Sequence, residues 1–252
     1  MRARRARSYH SLVGRKARTV ILISGRGSNM LSLVDAAQSG QCHIDVVAVI
    51  SNRPAAAGLN RARQAGIATR CVDHTDFDSR ASFDMALAKV IDEYQPQLVI
   101  LAGFMRILTP DFTRQFEGRM LNIHPSLLPK YPGLNTHQRA IDAGDLEHGA
   151  SVHFVTAELD GGPVAIQSIV PVLPEDNADS LAQRVLGTEH ELYAVAADWF
   201  GRGLLTMVSN RGALCEQKLE KPVILRNAQL EGIDPTWQQQ LTRTGPLAKH
   251  YA

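Results

Sequence analysis

Five short runs of almost unbroken apolar residues recur through the first half of this chain, each followed by a turn and, after the first four, by a stretch of helical periodicity. A strand that is apolar on both faces must be covered on both faces. A parallel sheet held between layers of helix does this. Thr19 to Ser24, Asp45 to Ser51, Ala68 to Val72, Leu98 to Ala102 and Met120 to Ile123 read as the strands. Helices are predicted over Asn29 to Gln38, Ala56 to Ala65, Ser79 to Tyr94 and Pro110 to Phe116; Gly40, Gly66 and Pro96 end the first three. The expected fold class is α/β, a doubly wound, mainly parallel sheet. Ligands of such sheets gather beyond the carboxyl ends of the strands. Gly25 to Asn29, Gly103 to Leu108 and Asn122 to His124 should therefore share one rim.

The second half is patterned differently. Ala150 to Val155 and Val164 to Val170 read as a hairpin-like pair around Asp160-Gly161-Gly162-Pro163. Ala178 to Phe200 is a long amphipathic helix. Leu204 to Leu225 reads as short strands with a turn at Asn210-Arg211-Gly212, and the polar remainder as a loose tail. The expected division is a basic arm over 1–18, one compact domain over 19–200, a short β appendage over 201–230 and a tail over 231–252.

Charge and cysteine content exclude several classes of function. The formal net charge of +2 is too small to argue for nucleic acid. Arg2, Arg4, Arg5, Arg7, Arg15, Lys16 and Arg18 crowd the start with no acid among them, so the remaining body is net acidic. That arm reads first as disordered and second as a targeting segment. No apolar run reaches the ~18 residues of a membrane span. Cys42, Cys71 and Cys215 are too widely spaced for a zinc site and, as unpaired thiols, suit a reducing cytoplasm. No metal is expected.

Three motifs carry the chemistry. In Leu121-Asn122-Ile123-His124-Pro125 an amide and an imidazole stand two residues apart, so an extended backbone points both the same way. Taken alone, such a pair more often decorates a strand end. Ser24-Gly25-Arg26-Gly27-Ser28-Asn29 joins the first strand to the first helix, where backbone N–H groups attract anions. It lacks the third glycine of a dinucleotide loop (Met30 stands there), the acid after the second strand and the P-loop lysine. A small phosphate ester remains; a plain turn capped by Ser28 or Asn29 is the alternative. Asp160 precedes two glycines as turn residues often do. Beside His124 it would favour the charged ring and raise the imidazole from its reference pKa of about 6.5.

Together these segments resemble the phosphoribosylglycinamide formyltransferases of purine biosynthesis, which use 10-formyltetrahydrofolate. The resemblance runs from about Thr19 to Phe200. It rests on the glycine turn, on Leu101-Ala102-Gly103-Phe104-Met105-Arg106-Ile107-Leu108, on Leu121 to Gly133, on Gly149 to Val155, and on Glu158 to Pro163, all in the family's order. It implies the Rossmann-like formyltransferase fold with a β-rich C-terminal appendage. It also implies roles. Gly27, Ser28, Asn29 and Glu189 would hold the ribonucleotide. Arg80, Met105, Arg106, Ile107, Leu108, Asn122 and the loop Thr156, Ala157, Glu158, Leu159 and Asp160 would hold the folate. Asn122 would bind the formyl oxygen, His124 would act as general acid, and Asp160 would keep it protonated. Partners would be small molecules, with no nucleic acid and no membrane, in a cytoplasmic monomer or homodimer without metal. Arg26 and Asn135 depart from residues common in the family, Asn and His. A deformylase would be expected to carry a regulatory domain in front, and a methionyl-tRNA formyltransferase a larger C-terminal domain.

Overall fold

The computed structural model describes residues 15–251. The five apolar runs form β1 (Ala17–Ile23), β2 (Ile44–Ser51), β3 (Thr69–Cys71), β4 (Leu98–Leu101) and β5 (Met120–His124). Between them lie α1 (Ser28–Gln38), α2 (Ala57–Gln64), α3 (Arg80–Glu93) and α4 (Pro110–Gln115). Local chemistry sets the helix starts. Ser79 and Ser82 form a reciprocal capping box at α3. The Thr109 hydroxyl accepts from the Phe112 N–H ahead of α4, with Pro110 at its first position.

The second half supplies α5 (Thr136–Asp142), β6 (Glu147–Phe154), β7 (Val164–Pro171) and α6 (Ala178–Gly201). It continues with β8 (Leu205–Val208), β9 (Arg211–Leu214), β10 (Gln217–Lys218), β11 (Val223–Arg226), β12 (Gln229–Glu231), α7 (Pro235–Thr242) and α8 (Ala248–Tyr251). Nine strands form one sheet in the order β12-β11-β7-β6-β5-β4-β1-β2-β3. From β5 to β3 every pairing is parallel. The β6 strand runs antiparallel to β7, as the hairpin-like pattern predicts, and also to β5. The strands β10-β9-β8 make a small antiparallel sheet.

Strand alternation divides the core in two. Val20, Leu22, Ala48, Ile50 and Val99 face Phe83, Leu87 and Ile91 of α3. Ile21, Ile23, Val49, Leu98 and Ile100 face α1 and α6. From β1 the chain steps outward through β2 and β3, then returns to β4 on the other flank, so the strand order reverses between β1 and β4. Crevices in such sheets open at this switch point. Across it, the Ser24 N–H donates to the Gly103 carbonyl at 3.1 Å. On the other face, the fully buried Tyr193 hydroxyl of α6 lies 3.0 Å from the Leu101 carbonyl and 2.9 Å from that of Leu121.

Three expectations change. The arm's last residues belong to the sheet: Ala17 N–H donates to the His43 carbonyl, and the exposed Arg18 reaches the Tyr94 carbonyl from within β1. Residues 1–14 of the arm lie outside the described residues. The segment read as an appendage is partly integral, because β11 pairs in parallel with β7 and extends the main sheet. The tail is not loose. Leu241 and Leu247 are both buried in the core, and Trp199 Nε1–H donates to the Leu241 carbonyl. Two isolated leucines suffice to dock a polar segment, and neither makes a periodic pattern. The short helix α5 was also unread. It starts at Asn135, whose φ of 57° lies in the left-handed region that asparagine tolerates better than most residues. That conformation gives a physical place to one family departure.

Candidate active site

The β5 strand delivers Asn122 and His124 to the rim. In the β5–β6 ladder Asn122 stands opposite His153, and His124 opposite Ser151. Directly opposed residues share a face, and the pair uses this: Asn122 Nδ2–H donates to His153 Nε2 at 3.0 Å. His153 Nδ1–H in turn donates to the Phe154 carbonyl at 3.0 Å. Burial holds this ring well below the ordinary histidine range, so it is neutral at pH 7 and its Nε2 can accept. His153 thereby fixes which way the Asn122 amide faces and leaves its second N–H for a ligand. The sequence reading did not single out His153; its one signal was a polar ring within an apolar strand.

Asp160 completes the cluster. Its backbone φ of 52° is left-handed, so the turn and the side chain's placement are one feature. Its Oδ2 lies 3.5 Å from His124 Nδ1 and accepts from the Gly133 N–H at 2.9 Å. Its Oδ1 lies 3.8 Å from His153 Nε2, beyond hydrogen-bond range. His124 Nε2–H donates to the Tyr131 carbonyl at 2.8 Å. A second proton on this ring therefore goes to Nδ1, facing the carboxylate. Tyr131 and Gly133 thus hold the two dyad members through backbone groups alone. Asp145 holds that segment from outside, accepting from the Tyr131 hydroxyl and from Lys130. Behind His124 lies a second imidazole pair, with His148 Nε2 3.2 Å from His137 Nδ1. Burial lowers both, His148 to about 4.

A cavity of ≈ 130 Å³ opens beside the cluster, lined by Asn122, His153 and Asp160. Arg106, Ile107, Leu108, Thr156, Ala157, Glu158 and Leu159 also line it, as the resemblance implies, together with Leu101, Phe104, Thr113 and Val155. Met105 and Arg80 do not; both are exposed, Arg80 at the start of α3. Arg106 instead stacks over the Phe83 ring, 5.4 Å from its centroid. Aliphatic and aromatic walls from Leu101, Phe104, Ile107, Leu108 and Leu159, beside the Asn122 amide and the carboxylates of Glu158 and Asp160, suit a heteroaromatic ligand with polar edges.

The glycine turn is built from backbone. Gly27 is the N-cap of α1 with φ 72°, and no side chain caps the helix. Neither Ser28 nor Asn29 acts as the cap, so no side chain caps the first-turn N–H groups. A Cβ at Gly27 would stand 2.9 Å from Met30 Cε. Asn29 Nδ2–H donates to Glu189 Oε2 at 2.7 Å, while Asn29 Oδ1 is buried without a protein partner. Burial raises the Glu189 carboxyl. The Arg26 side chain is exposed. A wider, more open groove of ≈ 590 Å³ runs between α1 and α6 from Ser28 to Lys249, away from the dyad. Among the described residues no cluster of three or more His, Cys, Asp or Glu is arranged to hold a metal.

Comparison with known proteins places this architecture. The formyl transferase family model matches residues 17–197. The phosphoribosylglycinamide formyltransferase of Escherichia coli (strain K12) is 52% identical over 200 residues, which are 79% of this chain and 94% of that protein. The enzyme of the same name from Haemophilus influenzae is 44% identical over 201 residues, 80% of this chain and 95% of its own length. Among solved structures, the phosphoribosylglycinamide formyltransferase from Coxiella burnetii aligns with a TM-score of 0.78 at 47% identity, covering 81% of this chain and 96% of that one.

Proposed function

We infer the reaction from kinship and geometry together: the chain belongs to the formyl transferase family, and it transfers a formyl group from 10-formyltetrahydrofolate to the amine of 5-phosphoribosylglycinamide. The products are formylglycinamide ribonucleotide and tetrahydrofolate, a step of purine biosynthesis. The observation that carries the reading is the common rim. An uncapped helix N-terminus, an amide with a free N–H and a histidine–carboxylate pair stand around one switch point.

In this reading the N–H groups of Gly27, Ser28 and Asn29 take the phosphate, and Glu189 takes polar groups of the same substrate. The cavity beside Asn122 takes the folate ring, with Arg106, Leu108 and the 156–160 loop as walls. Met105 and Arg80 act only farther out, along the tail of the folate. The amine attacks the formyl carbon, and the carbonyl oxygen becomes an oxyanion. Asn122 donates its free N–H to that oxygen. Asp160 Oδ2 faces His124 Nδ1 at 3.5 Å, the ring nitrogen left free by the bond to Tyr131. His124 passes a proton to the folate nitrogen as the carbon–nitrogen bond breaks, so the leaving group departs as a neutral amine, and the proton that the attacking amine sheds on becoming an amide returns to the ring. To do so the ring must turn one N–H away from Tyr131 or Asp160, a rearrangement usual between free and loaded sites. Positioning of two bound substrates supplies much of the remaining acceleration.

All groups named lie in one chain, so a monomer suffices. The free thiols Cys42, Cys71 and Cys215 suit the cytoplasm, and no helix among the described residues is long and apolar enough to cross a membrane. The test is an absorbance assay of tetrahydrofolate formation by purified protein with 5-phosphoribosylglycinamide as acceptor. Turnover with water or aminoacyl-tRNA instead of that amine would sink the assignment.

A further inference from the structure

The hydroxyl of Ser24 sits where the two substrate sites meet. Ser24 follows β1 directly and precedes the glycine turn. It is 5% exposed, and its neighbour Asn52 is wholly buried. Ser24 Oγ accepts from the Met105 N–H at 2.8 Å and donates to Asn52 Oδ1 at 2.6 Å. Its own N–H donates to the Gly103 carbonyl at 3.1 Å. One small side chain therefore ties the root of the phosphate turn to the loop that forms a wall of the folate cavity. A displacement of either segment strains the same three hydrogen bonds. Without this hydroxyl the Met105 N–H and Asn52 Oδ1 lose the partner that satisfies them.

We propose that Ser24 is a positioning residue that couples the ribonucleotide and folate sites, so that occupancy of one sets the affinity of the other. The proposal rests on the function inferred above. The other end of the same loop supplies an internal contrast. Buried Asp84 of α3 accepts from the Thr109 N–H at 2.6 Å, yet it has no link to the glycine turn. Both residues anchor the loop; only Ser24 anchors it to the phosphate side. Coupling between sites is reciprocal, so either ligand can report it.

The experiment is calorimetric titration of 5-phosphoribosylglycinamide and tetrahydrofolate, a pair that cannot react because no formyl group is present. Each Kd is measured alone and with the other ligand saturating. In the wild type the two conditions differ by at least about fivefold. In Ser24→Ala the ratio falls to within about twofold of one while thermal unfolding still shows a folded protein. Ser24→Cys, whose thiol is a weak donor and acceptor, gives an intermediate ratio and serves if the alanine variant fails to fold. Asp84→Asn weakens tetrahydrofolate binding but keeps the wild-type ratio. A wild-type ratio of one, or a variant at Ser24 that keeps the full ratio, overturns the proposal. A wild type that binds neither ligand defeats the function inferred above first, and this proposal with it.

Discussion

At the glycine turn the groups aimed at a ligand are backbone N–H groups at the start of α1; at the dyad they are the side chains of Asn122, His124 and Asp160. The two lie on the same rim with β4 between their strands. Side-chain chemistry can be deleted one atom at a time while the backbone stays in place. Backbone chemistry can be removed only by changing the path of the chain, which a Cβ or a lost positive φ achieves. The difference teaches where rate and affinity should separate: the dyad should govern turnover, and the turn should govern ribonucleotide binding.

The largest break in that comparison comes from His124→Ala or Asn122→Ala. For Asn122, loss of one donor to a developing oxyanion costs about 3–4 kcal/mol in comparable sites; for His124, loss of a general acid costs about a hundredfold or more. We expect kcat to fall about a hundred- to a thousandfold, with both KM values changed only a few-fold, in steady-state assays. Gly27→Ala attacks the other side. It places a Cβ 2.9 Å from Met30 Cε at a φ of 72°, so the ribonucleotide KM should rise about tenfold for a strain of roughly 1–2 kcal/mol while kcat changes little. Equal effects on kcat and KM from both variants would erase the distinction. Asp160→Asn is milder, since the amide still fills the turn. It should lower kcat about tenfold, because a neutral amide no longer sets a negative charge 3.5 Å from His124 Nδ1. A kcat within twofold of the wild type would leave Asp160 with no part beyond filling the turn.

The smallest effect concerns stability. His137, His148 and His153 are all held below the ordinary histidine range by burial, His148 at about 4. The unfolded chain then binds more protons than the folded one between about pH 6.5 and pH 4. Stability should fall as pH drops through that window. His148→Gln should flatten the dependence of the urea midpoint between pH 7 and pH 5; an unchanged slope would assign the acid sensitivity elsewhere.

What the sequence made legible follows the range of the interaction. The strands β1 to β5 are apolar on both faces, so local pattern alone announced a covered parallel sheet, and the rule of strand ends brought Gly27, Met105 and Asn122 to one rim. The contact of His124 with Asp160 spans distant segments; the residues offered it only as one reading of a turn aspartate, and the resemblance favoured it. His153 escaped because its part depends on standing opposite Asn122 across the ladder, a register no single strand reveals. Tyr131 and Gly133 escaped for a different reason: they act through a carbonyl and an N–H, which every residue except proline possesses. Leu241 and Leu247 carry no periodicity, yet both are buried.

Tyr193 works as a length standard for the whole site. Its hydroxyl is set against the carbonyls of Leu101 and Leu121, and Glu189 stands one helical turn earlier on the same face of α6. Leu121 is the residue before Asn122. The span from the Glu189 carboxylate to the Asn122 amide is therefore calibrated by one phenol. Slippage of α6 by a single residue would shift Glu189 about 1.5 Å along its axis, enough to misalign an amine with a formyl carbon. A helix 24 residues long is in this way indexed to the sheet at the point where the calibration counts.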